Sequence, residues 1–346
     1  MRTDKMRQLP VLISGNFSGE QLAAIKAVHP AMLVYGEPGG IAFEPPSGLD
    51  ETELTYPKVY PVPNLDAILR EVEVIVASRL PADILGRTPH LKWVQALGAG
   101  IDHLAPASVL AQADFLITNV SGVHAIPMSE TVLLMLLDFA KSWQQLSAQK
   151  RRHEWGRKIV GELHGKTLGL LGLGRIGREV ARVGSAMGMR VIGLRRRDRA
   201  SEGVPNVMAV YSRGELPAVL GQSDFVVCCL PFTDETYHLI GEEQFRAMKP
   251  SAYFVNVGRG QVVDEKALVR ALQVGWIAGA GLDVFEEEPL PADSALWDFP
   301  NVLISPHQGG DTDLYMERTT ELVCENLRRY AEGEPLLNVV STSRGY

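Results

Sequence analysis

A short apolar run leading into three spaced glycines constrains this 346-residue chain more than any other stretch. Residues 167–171 (Thr-Leu-Gly-Leu-Leu) are long enough for a buried strand and too short for a helix. Gly172, Gly174 and Gly177 follow in the spacing G-x-G-x-x-G. Ile176, Val180, Val183 and Met187 then recur at helical intervals, and Gly188 marks the stop. Each glycine has its own reason. The first permits a tight strand-to-helix turn, the second lets a pyrophosphate approach the backbone, and the third lets the helix pack closely on the strand. The helix N-terminus adds unpaired N–H groups and a positive dipole end that favour phosphate. Glycine-rich turns are common, so the spacing alone is weak. With a strand before it and a helix after it, the stretch reads as a dinucleotide-binding turn rather than a purely structural one.

The following strand bears on which dinucleotide. Residues 190–194 run into Arg195, Arg196 and Arg197, with no acidic residue before Asp198. An NAD site places a carboxylate at the end of this strand to hold the ribose 2′-hydroxyl. Guanidinium groups suit a phosphate dianion instead, through paired N–H bonds. Three arginines also occur on ordinary solvated turns. Their position in this unit favours a 2′-phosphate site at Arg195 and Arg196, hence NADP, with NAD as the alternative cofactor.

The chain exceeds one ordinary domain, and two are expected. With a net charge of −7, nothing in the whole-chain electrostatics supports a nucleic-acid partner. The other basic run, residues 150–152, reads as a solvated helix face. Cys228 and Cys229 are adjacent in an apolar strand and Cys324 is on a late helix. That pattern offers neither a disulfide framework nor a metal site, and it fits a reducing compartment. No apolar run approaches membrane-spanning length, so a cytoplasmic protein with no membrane partner is expected.

In chain order, strands are expected near 11–14, 31–35, 72–77, 93–97 and 115–118. Helices are expected over 65–70, over 81–85, and from a Ser18/Gln21 capping box to about residue 28. Residues 36–63 read as irregular. No glycine fingerprint occurs here, so this first unit handles something other than the dinucleotide. A helical stretch from Pro127 carries Val132, Leu133, Met135, Leu136 and Phe139 and is apolar almost all round, which predicts burial between domains or subunits. The second unit starts at Lys166. Its later strands are expected near 207–210, 225–230, 253–256, 279–284 and 302–305. Asp264 caps a helix to about 274, and a last helix covers 314–330. The tail 336–340 is expected to pair or pack back on the first unit.

Ligands of open parallel sheets bind outside the carboxyl ends of the strands. Three successive strand ends of the second unit carry reactive groups: Arg259 between two glycines, Asp283 with the run Glu286–Glu288, and His307. Arginine, carboxylate and histidine together are what reduction of a 2-keto acid requires. The arginine clamps the substrate carboxylate and polarises its ketone. The histidine supplies a proton to the developing alkoxide, and the carboxylate stabilises the imidazolium. Singly, each has a plain structural reading as an ion pair, a solvated run or a helix-start histidine. Their joint placement favours the chemical one.

With these segments in hand, the chain resembles the D-isomer-specific 2-hydroxyacid dehydrogenase family. The likeness runs through residues 97–102 (Leu-Gly-Ala-Gly-Ile-Asp), 172–177, 230–233 (Leu-Pro-Phe-Thr), 256–260, 283–289, 305–310 and 337–340. It implies an α/β protein of two Rossmann-like or flavodoxin-like parallel-sheet domains. A dinucleotide-binding domain (121–308) is inserted into a discontinuous substrate domain (1–120 and 309–346). The implied catalytic set is Arg259, Glu288 and His307. Asp283 would hold the nicotinamide carboxamide, and Arg175 and Ile176 would sit over the pyrophosphate. Pro231, Val257, Gly258, Gly309 and Gly310 would line the cofactor. Backbone N–H groups at Ala99 and Gly100 would take the substrate carboxylate, and the family pattern implies a homodimer. Two departures stand out: Arg195 replaces the common acidic residue, and Gln308 follows His307 where an apolar residue is common.

The expected activity is NADP-preferring reduction of a small 2-keto acid of the glyoxylate or hydroxypyruvate type. Within the same fold, formate oxidation would need a glutamine where Glu288 stands. A phosphoglycerate-type dehydrogenase would need extra positive charge, for which Arg79 is the candidate. A dinucleotide-sensing corepressor-like binding protein is the rival of another class.

Overall fold

The computed structural model describes residues 7–39, 64–101, 103–195 and 203–340. Asp102, residues 40–63 of the segment expected to be irregular, and Arg196, Arg197 and Asp198 lie outside the described residues. The chain forms two compact units, one of residues 1–123 with 313–346 and the other of residues 124–312.

The first unit contains β1 (Leu9–Ser14), α1 (Gly19–Lys26), β2 (Met32–Tyr35), α2 (Leu65–Glu71), β3 (Val74–Ala77), α3 (Ile84–Arg87), β4 (Trp93–Ala96), α4 (Ala107–Ala111) and β5 (Leu116–Thr118). Its five strands are all parallel, in the order β2-β1-β3-β4-β5. The second unit contains α5 (Ala125–Lys141), α6 (Trp143–Arg151), β6 (Thr167–Leu171), α7 (Arg175–Ala186), β7 (Arg190–Arg195), β8 (Ala209–Ser212), α8 (Leu216–Gln222), β9 (Phe225–Cys228), α9 (Glu242–Ala247), β10 (Tyr253–Asn256), α10 (Glu265–Val274), β11 (Gly279–Leu282) and β12 (Val302–Ile304). The last helix, α11 (Tyr315–Glu332), belongs to the first unit.

The second sheet runs β12-β11-β10-β9-β6-β7-β8, all parallel. Apart from the added β12, this is the doubly wound order in which strand connections switch direction beside β6, and ligands bind at such a switch. Its central strands are buried along their whole length, as expected when helices cover both faces.

Several sequence expectations appear directly. Ser18 accepts from the Gln21 N–H while Gln21 caps the Ser18 N–H, so the capping box opens α1. The Asp264 side chain accepts from the Ala267 N–H at the start of α10. The tail returns to the first unit: Val339 bridges Thr118 antiparallel, the Val340 N–H donates to Ile117 at 2.8 Å, and Val340 is buried there. Other expectations shift. The helix from 127 begins at Ala125, and Ser142 in a left-handed conformation separates it from α6. It buries Val132, Met135, Leu136 and Phe139 but leaves Ile126 and Leu134 exposed. Met187 is also exposed, and the inner face of α7 is instead Gly177, Val180, Ala181 and Gly184. Small residues on that stripe bring the helix close to the sheet. The five-residue α4 carries too few turns to leave a periodic signal.

At the amino ends of the first sheet, Glu73 is 8% exposed and receives Lys92 at 3.1 Å, Tyr330 at 3.0 Å and Arg7. Burial alone would raise its carboxyl. The hydrogen bonds from Lys92 and Tyr330, with the charges of Lys92 and Arg7, outweigh burial and hold it below the usual 4.5. A depressed folded value gives stability that is present above pH 4.5 and lost as pH falls through the folded value. Glu73→Gln should therefore cost about 1–3 kcal/mol at pH 7 in urea unfolding, with the gap to wild type narrowing in acid. An equal gap at pH 7 and pH 3.5 would refute the charge argument.

Candidate active site

The glycine turn is built as its spacing predicts. Gly172 has φ +103°, a conformation that a side chain would strain, and a Cβ there would also press on the Cys229 carbonyl at 3.1 Å. A Cβ at Gly177 would fall on the Gly172 carbonyl oxygen, so only glycine lets α7 start this close to the turn. Gly174, at the N-cap, meets nothing within 4 Å. Its missing side chain leaves room outside the protein backbone, as a bound pyrophosphate at the helix N-terminus needs. Arg175 is exposed at the first position of α7, and Ile176 is half-buried behind it. Pro231 follows the carboxyl end of β9, where the Cys228 thiol is buried and pushed up to about 12 by that burial, so it stays protonated.

Leu171 and Leu194 are paired in register, and the Gly172 N–H donates to the Leu194 carbonyl at 3.2 Å. Half-buried Arg195 is the next residue of β7 and pairs with Ser212 of β8. It thus flanks the glycine turn at the carboxyl edge. Its neighbour Arg196 lies outside the described residues.

On the other side of the sheet, Asn256, Leu282 and Ile304 are matched in register, so Arg259, Asp283 and His307 follow adjacent strand ends. Buried Asn256 shapes the first of these loops, accepting from the Gly258 N–H and donating to the Arg259 carbonyl, each at 3.1 Å. The Val257 N–H donates to Cys228 at 3.0 Å. Cβ atoms at Gly258 or Gly260 would collide with the Leu230 and Phe285 carbonyls. Both glycines thus let the backbone pass while the half-buried Arg259 side chain, whose Nη1 donates to the Gly258 carbonyl at 2.9 Å, is the only one in between.

Asp283 is fully buried. Its Oδ1 accepts from the Ser305 hydroxyl at 2.7 Å and the Gln308 and Gly309 N–H groups at 3.1 and 2.9 Å. Gly309 and Gly310 are also held through their carbonyls, by Thr131 at 2.9 Å and by the His124 ring at 3.0 Å. Asp283 thus folds the loop that carries His307. Its Oδ2 has no hydrogen-bond partner, an orphaned buried acceptor suited to a carboxamide N–H₂. Gln308 takes part through its backbone while its side chain is exposed.

His307 has φ +52°, sparsely populated for a side-chain-bearing residue, and its N–H donates to the Asp283 carbonyl at 2.9 Å. Its Nδ1 is 2.7 Å from Glu288 Oε2, and the other oxygen of Glu288 accepts from the Phe285 N–H at 3.0 Å. This fixes the ring and leaves Nε2 as the nitrogen for chemistry. The three consecutive glutamates separate in role. Glu287 is exposed, whereas Glu286 pairs with His238, which stacks on Tyr237. Sequence reasoning missed that second histidine–glutamate pair, since the two residues are 48 positions apart with no strand-end pattern at 238. Beside it, burial and the charges of Glu286 and Glu287 raise the Glu265 carboxyl, against one lowering hydrogen bond from the Glu286 N–H.

In the first unit, Ala99 and Gly100 follow β4, half-buried, and exposed Arg79 follows the neighbouring β3 at the same carboxyl edge.

Comparison with known proteins identifies relatives of this chain. The sequence profile of the D-isomer specific 2-hydroxyacid dehydrogenase NAD-binding domain matches residues 133–309. A glyoxylate reductase of Aeropyrum pernix is 38% identical over 276 residues, covering 77% of this chain and 81% of the relative. A D-3-phosphoglycerate dehydrogenase of Methanocaldococcus jannaschii is 34% identical over 79% of this chain, but the match covers only 52% of that longer protein. Among solved structures, an NADPH-dependent glyoxylate/hydroxypyruvate reductase of Sinorhizobium meliloti, in complex with NADP and sulfate, superposes with a TM-score of 0.77 at 29% identity. That superposition covers 98% of this chain and all of the other. Two all-parallel α/β units, the glycine turn at the switch of strand order, and relatives matched over most of their length make this chain a member of the D-isomer-specific 2-hydroxyacid dehydrogenase family.

Proposed function

We propose that the protein is an NADP-preferring reductase of small 2-keto acids of the glyoxylate or hydroxypyruvate type. The His307–Glu288 pair carries this reading, because it stands at the carboxyl edge that also bears Arg259, Asp283 and the glycine turn. Residues 124–312 are assigned to the dinucleotide, and the unit of residues 1–123 and 313–346 to the substrate.

Gly172, Gly174, Arg175, Ile176 and Gly177 would hold the pyrophosphate, with Pro231, Val257, Gly258, Gly309 and Gly310 lining the rest. Arg195 and Arg196 would take the 2′-phosphate, and Asp283 Oδ2 the carboxamide. When bound, the nicotinamide supplies a hydride, and so both electrons, to the carbonyl carbon. Arg259 clamps the carboxylate and draws electron density toward the ketone oxygen. His307 Nε2–H gives that oxygen its proton, completing the alcohol, and Glu288 offsets the imidazolium charge beforehand. Ala99 and Gly100 are read as further substrate-binding residues, through their backbone N–H groups.

A homodimer is part of this reading. Trp143, Trp155 and Ile159 are 65%, 96% and 99% exposed, with Leu134 also outward on α5. Exposed apolar side chains concentrated in one stretch of sequence support association through it. A monomeric mass in sedimentation at micromolar concentration would remove the dimer. A cytoplasmic setting is supported by three free cysteines. Among the described residues no helix is long and apolar enough to cross a membrane.

Turnover of glyoxylate, hydroxypyruvate, pyruvate and 3-phosphohydroxypyruvate with NADPH and NADH tests the function. The highest kcat/KM is expected for glyoxylate or hydroxypyruvate with NADPH. A clear preference for the phosphorylated acid would install the phosphoglycerate reading with Arg79 as the phosphate residue. Cofactor binding without turnover of any acid would install the sensor.

A further inference from the structure

Three successive carbonyls of the loop after β4 are each held by a different donor. The Tyr315 hydroxyl donates to Leu97, the Val120 N–H to Gly98 at 3.2 Å, and the Asn119 side-chain amide to Ala99 at 2.7 Å. In a planar trans peptide, the carbonyl of one residue and the N–H of the next point in opposite directions. Fixing these three carbonyls therefore turns the N–H groups of Gly98, Ala99 and Gly100 away from the donors. Among the described residues, none of those N–H groups has an acceptor. In a bend, successive unspent N–H groups can bind one anion, and residues 97–101 are a run of bends.

Asn119 is itself fixed at both ends. Its Oδ1 accepts from the Ser121 N–H at 3.0 Å, which commits its Nδ2 to Ala99, and it is 6% exposed. The C-terminal tail braces it. Asn338 Nδ2 donates to the carbonyls of Asn119 at 3.1 Å and Ser121 at 2.9 Å, and the Asn119 N–H donates to the Asn338 carbonyl at 3.2 Å. Asn326 holds the preceding residue, donating to the Leu337 carbonyl at 3.2 Å and accepting from its N–H at 2.8 Å.

We propose that Asn119, braced by Asn338, and Tyr315 are positioning residues that aim the N–H groups of Ala99 and Gly100 at the carboxylate of the substrate. This rests on the proposed reductase activity and deepens it: the carboxylate end of the substrate is recognised by a backbone array that the segment around Asn338 and Tyr315 of α11 hold in shape. The tail therefore acts on substrate affinity, not only on fold.

Asn119→Ala and Tyr315→Phe test it, the second removing a single hydroxyl and so guarding against a folding failure in the first. Glyoxylate kinetics with saturating NADPH and oxalate binding to the NADPH-loaded enzyme by fluorescence titration are the two readouts. Each variant should raise KM for glyoxylate and the Kd of oxalate about tenfold, with kcat within threefold, NADPH affinity unchanged and Tm within a few degrees. Unchanged KM and Kd in both variants, on a wild type that reduces glyoxylate, would overturn the positioning role and leave the activity standing. Parallel losses of kcat, NADPH affinity and Tm would make the residues merely structural and overturn it likewise. A wild type that neither reduces glyoxylate nor binds oxalate would overturn both proposals.

Discussion

His307→Ala should lower kcat for keto-acid reduction by about 10² or more, with NADPH affinity nearly unchanged, since positioned general acids contribute on that order. The expectation rests on what surrounds the ring. Glu288 occupies Nδ1 at 2.7 Å, and the loop is tied to Asp283 by Ser305, Gln308 and Gly309, so Nε2 has one direction in which to offer a proton. His238 is the internal control. Its Nε2 is spent on Glu286 and its ring is stacked on Tyr237, so His238→Ala should cost less than tenfold. Single-turnover rates with preloaded NADPH separate the chemical step from product release. A slow His238 variant beside a normal His307 variant would reassign the acid to the other pair.

What the sequence shows of this site follows from which parts are local. The glycine turn is readable because its three constraints are steric and lie within six residues: the positive φ of Gly172, the open side of Gly174 and the contact of Gly177 with the Gly172 carbonyl. The strands of the second sheet are readable because burial on both faces makes them continuous apolar runs. Arg259, Asp283 and His307 stand out because adjacent parallel strands end at one edge, so strand order alone groups them. The rest depends on contacts distant in sequence. Nothing local distinguishes Glu288 from Glu286 and Glu287, and only folding pairs one with His307 and another with His238. The hold on the Ala99–Gly100 loop joins Asn119, Tyr315 and Asn338, more than two hundred residues apart in part, and no spacing rule covers that. Exposed Met187 shows a further limit, since an apolar residue at a helical interval is a weak guide when small residues form the true packing stripe.

Wild-type enzyme should prefer NADPH over NADH by about 10² in kcat/KM, and Arg195→Asp with Arg196→Ile should reverse that preference. The adenosine 2′-phosphate is a dianion, and the second strand of the doubly wound unit delivers its terminal residues to that ribose edge. Arg195 stands one residue beyond the Leu171–Leu194 pair and beside the turn at Gly172, at the right edge of the sheet for that phosphate. A charged hydrogen bond contributes about 1.5–3 kcal/mol, and each 1.4 kcal/mol is tenfold in affinity, so two guanidinium contacts reach 10² or more. Because Arg195 is half-buried at the protein edge, salt trims the gain, and both cofactors have to be compared at one ionic strength. Aspartate works twice over: it accepts from the ribose hydroxyls of NADH and repels the phosphate of NADPH. Arg195→Asp alone should therefore lose most of the NADPH preference, and the second change should complete the reversal. Raising salt should weaken NADPH in wild type more than in the double variant. A wild type that favours NADH, or a preference indifferent to Arg195, would leave the arginine run a solvated turn with no part in cofactor choice.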